Sequence, residues 1–308
     1  IIKHGELQYI FIEPGDSIMF RLNTVGFDES LAFSGRGAEK NNFLMNLFLQ
    51  NEEEDKRLPE LYKLNPTAFE KEISHSKKAL LKELDEFIIS EKPSEPFIHV
   101  ALSNINYNYY SRKELYLSSK KAASSHKQIQ YPENFFTYRD SIQLNDNALK
   151  DYYTYYQFIN RYLDNLTYQG HTKKEPTFNK ISYWHQTQKL RLIDSLITNK
   201  QLHDNLLHNT VKRYLVHADD TKKEQDLVAL FKEMNHNKDH QKEVDRYAHN
   251  TAKINAGELI PNLALITADN EIISLQKINA TKAVFFFWNS ESVKHYKEIH
   301  VRIADLKT

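Results

Sequence analysis

The sequence predicts an α+β chain with a short N-terminal β segment, a large irregular helical domain and a partial C-terminal α/β domain. Three observations carry that reading. Apolar residues alternate over roughly the first 35 positions, recur at helical spacing from about residue 38 to residue 254, and then gather into the unbroken run AVFFFW at 283–288. At 308 residues the chain is long enough for two domains, each with its own core. The boundaries fall at 1–36, 37–254 and 255–308.

In the first segment Leu7, Tyr9 and Phe11 alternate with Gln8, Ile10 and Ile12, Pro14-Gly15-Asp16 supplies a turn, and Ile18, Phe20 and Leu22 form the other arm. A lone hairpin is marginal in water, so this piece reads as the end of an N-terminal β domain. Further along, Asn65-Pro66 pairs an N-cap with a first-turn proline, and Phe69, Ile73, Leu80, Leu84 and Phe87 then share one helical face. A second helix is expected from Pro96 toward Lys120. A third is expected over 147–167, with Ala148, Tyr152, Tyr155, Ile159, Leu163 and Leu166 facing inward. Shorter helices follow at 181–197, 202–215, 227–234 and 244–254. Only 7 Gly occur in the chain, which suits helices joined by short polar connections. No fixed repeat is evident, so an irregular bundle is favoured over a solenoid.

After Asn255-Ala256-Gly257 the pattern turns extended. Residues 263–275 read as a hairpin around Ala268-Asp269-Asn270-Glu271, and 283–288 as a strand covered on both faces. Residues 291–306 then show helical spacing through Val293, Tyr296, Ile299 and Ile303.

Composition excludes several function classes. Lys plus Arg equal Asp plus Glu at 41 each, leaving no net field to gather nucleic acid. No apolar run is long enough to span a bilayer, so no transmembrane segment is expected in this chain. Zero Cys removes disulfides, thiolate nucleophiles and cysteine-ligated metals, and no cofactor is expected.

The C-terminal motif is specific. Gly257-x-x-Ile260-Pro261, the 263–275 hairpin and Phe287-Trp288-Asn289-Ser290 before a helix resemble the opening half of a TlpA-like thioredoxin domain. The two cysteine positions of that family fall on Ser292 and His295; Glu298-Ile299 matches its Glu-apolar pair, and His300 stands where it has proline. Glu13-Pro14-Gly15-Asp16-Ser17, and Phe33-Ser34-Gly35 leading into a helix, resemble the Bacteroidetes-type members, which place a β domain and a helical insert before the thioredoxin part. The resemblance implies a thioredoxin-like fold over 255–308 that continues some tens of residues beyond Thr308. It also implies residence in the periplasm or at the outer membrane, with a possible lipid anchor upstream of Ile1.

Thiol exchange needs a thiolate at the helix start and a second sulfur to resolve the mixed disulfide, and an alkoxide at Ser292 is far too basic to replace either. The expected function is therefore a redox-inactive scaffold or protein-binding subunit whose partner is another envelope protein or membrane complex. Trp288, Asn289 and Glu291, beside the emptied motif, are the candidate binding residues there. The alternatives are a family member with lost or residual oxidoreductase activity and a small hydrolase using Ser292 and His295, though helix capping by Ser292 or Ser290 accounts for the serines more simply.

Elsewhere, Tyr152, Tyr153, Tyr155 and Tyr156 form an aromatic cluster in which Tyr153 is expected to be exposed and available for stacking on a ligand. His236 and His240, four apart beside Asp239, invite a metal reading, but residues 235–239 are polar all round and read as a solvated helix end. The acidic run 51–55 reads as a solvated helix exit, and Gly35-Arg36-Gly37 is too short to cradle a phosphate.

Overall fold

The computed structural model describes residues 2–3, 6–23, 26–123, 129–171, 177–218, 220–251, 259, 262–267, 269–278, 297–299 and 301–302. The chain divides into two compact units, Ile1–Asn255 and Ala256–Thr308. The described residues are mostly helical, with a few short strands.

The first unit opens with strands β1 (Ile2–Lys3) and β2 (Glu6–Leu7), followed by β3 (Ser17–Arg21), the single turn α1 (Phe27–Ser30) and β4 (Ala32–Arg36). Strand β3 pairs antiparallel with β4, Met19 opposite Ser34. The Pro14-Gly15 turn is present, with Asp16 N donating to Glu13 O at 3.0 Å, but its two arms do not form the expected hairpin. The reason lies at the start of helix α2 (Ala38–Leu61). The Asn41 amide accepts from Phe11 N at 2.7 Å and donates to Phe11 O at 2.9 Å, taking both backbone groups a ladder would have used. Asn42 does the same for Phe33 at 2.9 Å on each side.

The same turn is locked onto α2 by charge. Lys40 Nζ donates to Glu13 Oε2 at 2.5 Å and to Asp16 Oδ2 at 3.0 Å. Gly37, the residue before α2, has φ +88°, and a Cβ there would sit 2.2 Å from Asp16 Oδ1. Only glycine fits beneath the carboxylate that holds the turn.

Helix α3 (Pro66–Glu91) begins as the sequence predicts, the Asn65 side chain accepting from Ala68 N at 2.9 Å. Together α2, α3 and α4 (Glu95–Ala123) close two apolar clusters. One joins Phe43, Leu47, Leu84 and Phe97, and the other joins Leu61, Phe69, Ile73 and Tyr116, in which the Phe69 and Tyr116 rings stack at 4.0 Å. The acidic run lies within α2 rather than at its exit. Its charges form i,i+3 pairs, Glu53 with Lys56 and Glu54 with Arg57, which a helix interior tolerates on a solvated face.

After a 3₁₀ helix at Glu133–Ser141 come α5 (Tyr153–His171), α6 (Tyr183–Leu196), α7 (Lys200–Leu215), α8 (Thr221–Met234) and α9 (Lys238–Thr251). Helix α5 starts six residues later than the 147–167 spacing suggests. Asp146 Oδ1 accepts from Ala148 N at 2.9 Å, and this local turn displaces the first helical turn. Ala148 is consequently exposed and Leu149 takes the core position. Tyr155, Phe158, Ile159 and Leu163 of α5 pack against Leu190 and Ile193 of α6, Leu206 and Val211 of α7, Phe231 of α8 and Val244 of α9. Side-chain caps start α6 (Ser182), α7 (Asn199) and α8 (Asp220).

In the second unit the expected hairpin is present. Strands β5 (Ala264–Ile266) and β6 (Ile272–Ser274) pair antiparallel, and Asn270 turns the chain at φ +61°. Residues 297–299 and 301–302 are helical, with Ile299 buried. The apolar run at 283–288 lies outside the described residues.

Replacing Gly37→Ala forces both an unfavourable φ and a collision with Asp16. The expected loss is about 1–3 kcal/mol, read as a lowered urea midpoint, and Lys40→Met in the same turn should weaken the protein in the same direction.

Candidate functional site

Of the residues singled out in the sequence, Ser292, His295, Trp288, Asn289 and Glu291 lie outside the described residues. Tyr153 does not, and it is 54% exposed at the first position of α5. Its neighbours divide as helical geometry requires: Tyr155 is fully buried, and Tyr152 and Tyr156 pack partly buried against the core.

Tyr153 sits on the rim of a cleft of about 440 Å³. Successive turns of α5 supply Tyr156, Gln157, Asn160, Arg161 and Asp164; Asn209 and Arg213 come from α7, and Lys180 from the segment before α6. The volume lies within the range of about 300–1,000 Å³ that ligand pockets occupy.

At the base of the cleft lies one carboxylate among several bases. Asp164, 2% exposed in its side chain, accepts from Lys189 Nζ at 2.5 Å and faces His185 Nε2 at 3.2 Å. Lys180 Nζ and Arg213 Nη1 stand 3.7 and 3.8 Å from its other oxygen. Burial works against ionisation of Asp164, but Lys189, the His185 hydrogen bond and Lys180 outweigh it and hold the carboxyl well below the usual range. Lys189 is itself tied down by Asn160 Oδ1 at 2.6 Å. Both Lys189 and His185 are buried, so they support the site from behind and do not reach a ligand.

Arg161 is placed differently. It donates to a neutral group, Ser111 Oγ at 2.6 Å, and no carboxylate forms an ion pair with it among the described residues. Burial works against its charge. Arg213 and Lys180 share the Asp164 carboxylate and Arg161 has none in contact among the described residues, so the cleft is positive. The amides differ too: Asn209 Nδ2 donates to Tyr156 Oη at 2.6 Å, leaving its carbonyl oxygen as an acceptor.

No family model, curated protein or solved structure matches the chain significantly. The chemistry of the cleft is thus read from its own residues. It offers Arg donors, a lysine, three side-chain amides and an exposed phenol, which together can orient an anion but carry no activated nucleophile. Among the described residues no three His, Asp or Glu side chains converge as a metal site. Of the histidine pair, His236 is exposed while the His240 ring stacks on His208 at 4.3 Å. Asn235, expected in a solvated segment, is fully buried, because its amide donates to Asp204 O at 2.8 Å and so ties the α8–α9 connection to α7.

Sequence reasoning reached Tyr153 through its neighbours' periodicity but missed Arg161, Asp164, Lys180 and Arg213. One signal was available: Asp164 and Asn165 adjoin Leu163 on the predicted inner face, where an unpaired charge is not tolerated.

Two outcomes test the electrostatics. Asp164→Asn leaves Lys189 buried without its counter-charge, and the expected cost is about 3–5 kcal/mol, measured by equilibrium unfolding. His208 lies below its ordinary value of 6.5 because burial, and then the neighbouring His240, oppose protonation more than Glu243 favours it; Lys212 adds to the opposition. The folded state therefore holds His208 neutral, and its contribution is complete above about pH 6.5. Stability then falls as the pH drops through that value, because the unfolded chain takes up the proton first. Urea midpoints at about pH 7.5 and about pH 5.5 should differ more in the wild type than in His208→Asn.

Proposed function

We propose that the protein is a redox-inactive, non-catalytic binding protein, a scaffold or protein-binding subunit of a bacterial envelope complex. The observation that carries this reading is the positive cleft beneath the exposed Tyr153, which supplies recognition chemistry without a nucleophile. The absence of Cys supports it, since thiol exchange has no sulfur in this chain to use.

The resemblance of residues 255–308 to a TlpA-like thioredoxin opening supports a thioredoxin-like second unit and residence in the periplasm or at the outer membrane. A thioredoxin frame recognises extended peptides beside its active-site helix, so Trp288, Asn289 and Glu291 next to Ser292 and His295 form a second contact point in this reading. The partner is another envelope protein.

A photo-reactive side chain at the cleft rim tests the proposal. Tyr153→p-benzoylphenylalanine, irradiated in an envelope extract, should give one discrete protein adduct, while the same replacement at the exposed Ile89 of α3 should give none. Insulin reduction by the chain above the reagent background, or equal labelling at both positions, overturns it.

A further inference from the structure

We infer that the α5–α7 cleft holds an acidic peptide segment, with Arg161 receiving a carboxylate side chain and Tyr153 covering the bound backbone. This deepens the protein-binding reading and rests on it. The charge at the site carries the first half of the argument. Arg161 lies in a partly desolvated wall with Ser111 Oγ as its hydrogen-bond partner and no carboxylate paired to it among the described residues. Arg213 and Lys180 approach Asp164 only at 3.8 and 3.7 Å, beyond hydrogen-bond length. Asp55, paired with Arg112, acts on Arg161 only from a distance; a charge withdrawn from water with no carboxylate in contact is costly, and a ligand carboxylate entering here supplies that contact. Its planar pair of oxygens matches the guanidinium fork of Arg161, which a single lysine does not reproduce.

The acceptors of the cleft decide between a peptide and a bare oxyanion. Asn209 has committed one of its two amide N–H groups to Tyr156 Oη, leaving the other N–H and Oδ1, and the buried Asp164 sets a carboxylate beneath them at the base. Inorganic phosphate near neutral pH answers these acceptors with at most two O–H donors, both on the charged group itself. A peptide brings main-chain N–H donors for them together with a carboxylate for Arg161, and Gln157 can serve as either donor or acceptor. Tyr153, half exposed on the rim, offers an aromatic face at small entropic cost.

The test uses the full chain and a blocked octaglutamate peptide, with octalysine and inorganic phosphate as the other probes. Octaglutamate should bind, and more weakly as salt rises past about 0.15 M, where the Debye length is about 8 Å. Arg161→Gln should weaken binding about tenfold or more, and Arg161→Lys should recover only part of the loss. Lys222→Gln, a change on α8 outside the cleft, should bind as the wild type does. Unfolding midpoints of each variant separate lost binding from lost fold. No binding of octaglutamate, binding unchanged in a folded Arg161→Gln, or phosphate binding in place of the peptide overturns the inference. If an adduct still forms from position 153 while octaglutamate fails, only the acidic ligand class falls; if both fail, the protein-binding reading falls with it.

Discussion

Two consecutive polar residues buried in α5 hold the helical unit together. Asp164 faces α6, bound to Lys189 and His185, while Asn165 faces α4, donating to Glu114 Oε2 at 2.6 Å and to Glu114 O at 2.8 Å. Glu114 is fully buried and takes Arg139 as a fork, from Nε at 3.0 Å and Nη2 at 2.8 Å, together with the Tyr138 hydroxyl. Desolvation raises the Glu114 carboxyl, and Arg139 is the largest opposing influence. None of these groups is tolerable alone in an interior, so each fixes its neighbour's position as well as its own. Because Asp164 bonds to α6 and Asn165 to α4, rotation of α5 about its axis breaks hydrogen bonds on both sides at once.

That constraint also creates the cleft. Asp164 satisfies Lys189 from the α6 side, so its second oxygen is shared by Lys180 and Arg213, and the preceding turn of α5 presents Arg161 with no carboxylate in contact. Recognition chemistry arises where the structural network ends short of neutralising its own charges. The N-terminal turn shows the same economy: Lys40 draws Glu13 and Asp16 onto α2, and Gly37 leaves the room that Asp16 needs.

Much of the local architecture was legible. Asn65-Pro66 marked a helix start because capping acts over three residues, and the face Phe69-Ile73-Leu80-Leu84 followed from the 3.6-residue repeat. The pairing of β3 was not legible, because Asn41, 30 residues further along the chain, takes the backbone groups of Phe11 that the expected hairpin needed. Nor was the start of α5, where the Asp146 turn outcompetes helical propensity.

By itself the sequence determined what chemistry is excluded and where most helices run, since composition is absolute and capping and periodicity are short-range. It placed Tyr153 outside the core for the same reason. Only the tertiary structure decided that Asp164 meets Lys189, His185 and Arg213, and that Arg161 is left to Ser111. Those partners lie 21 to 50 residues apart in sequence. Helical periodicity says which face a side chain occupies, not which helix comes to meet it, and the charge balance of a cleft is set by that meeting.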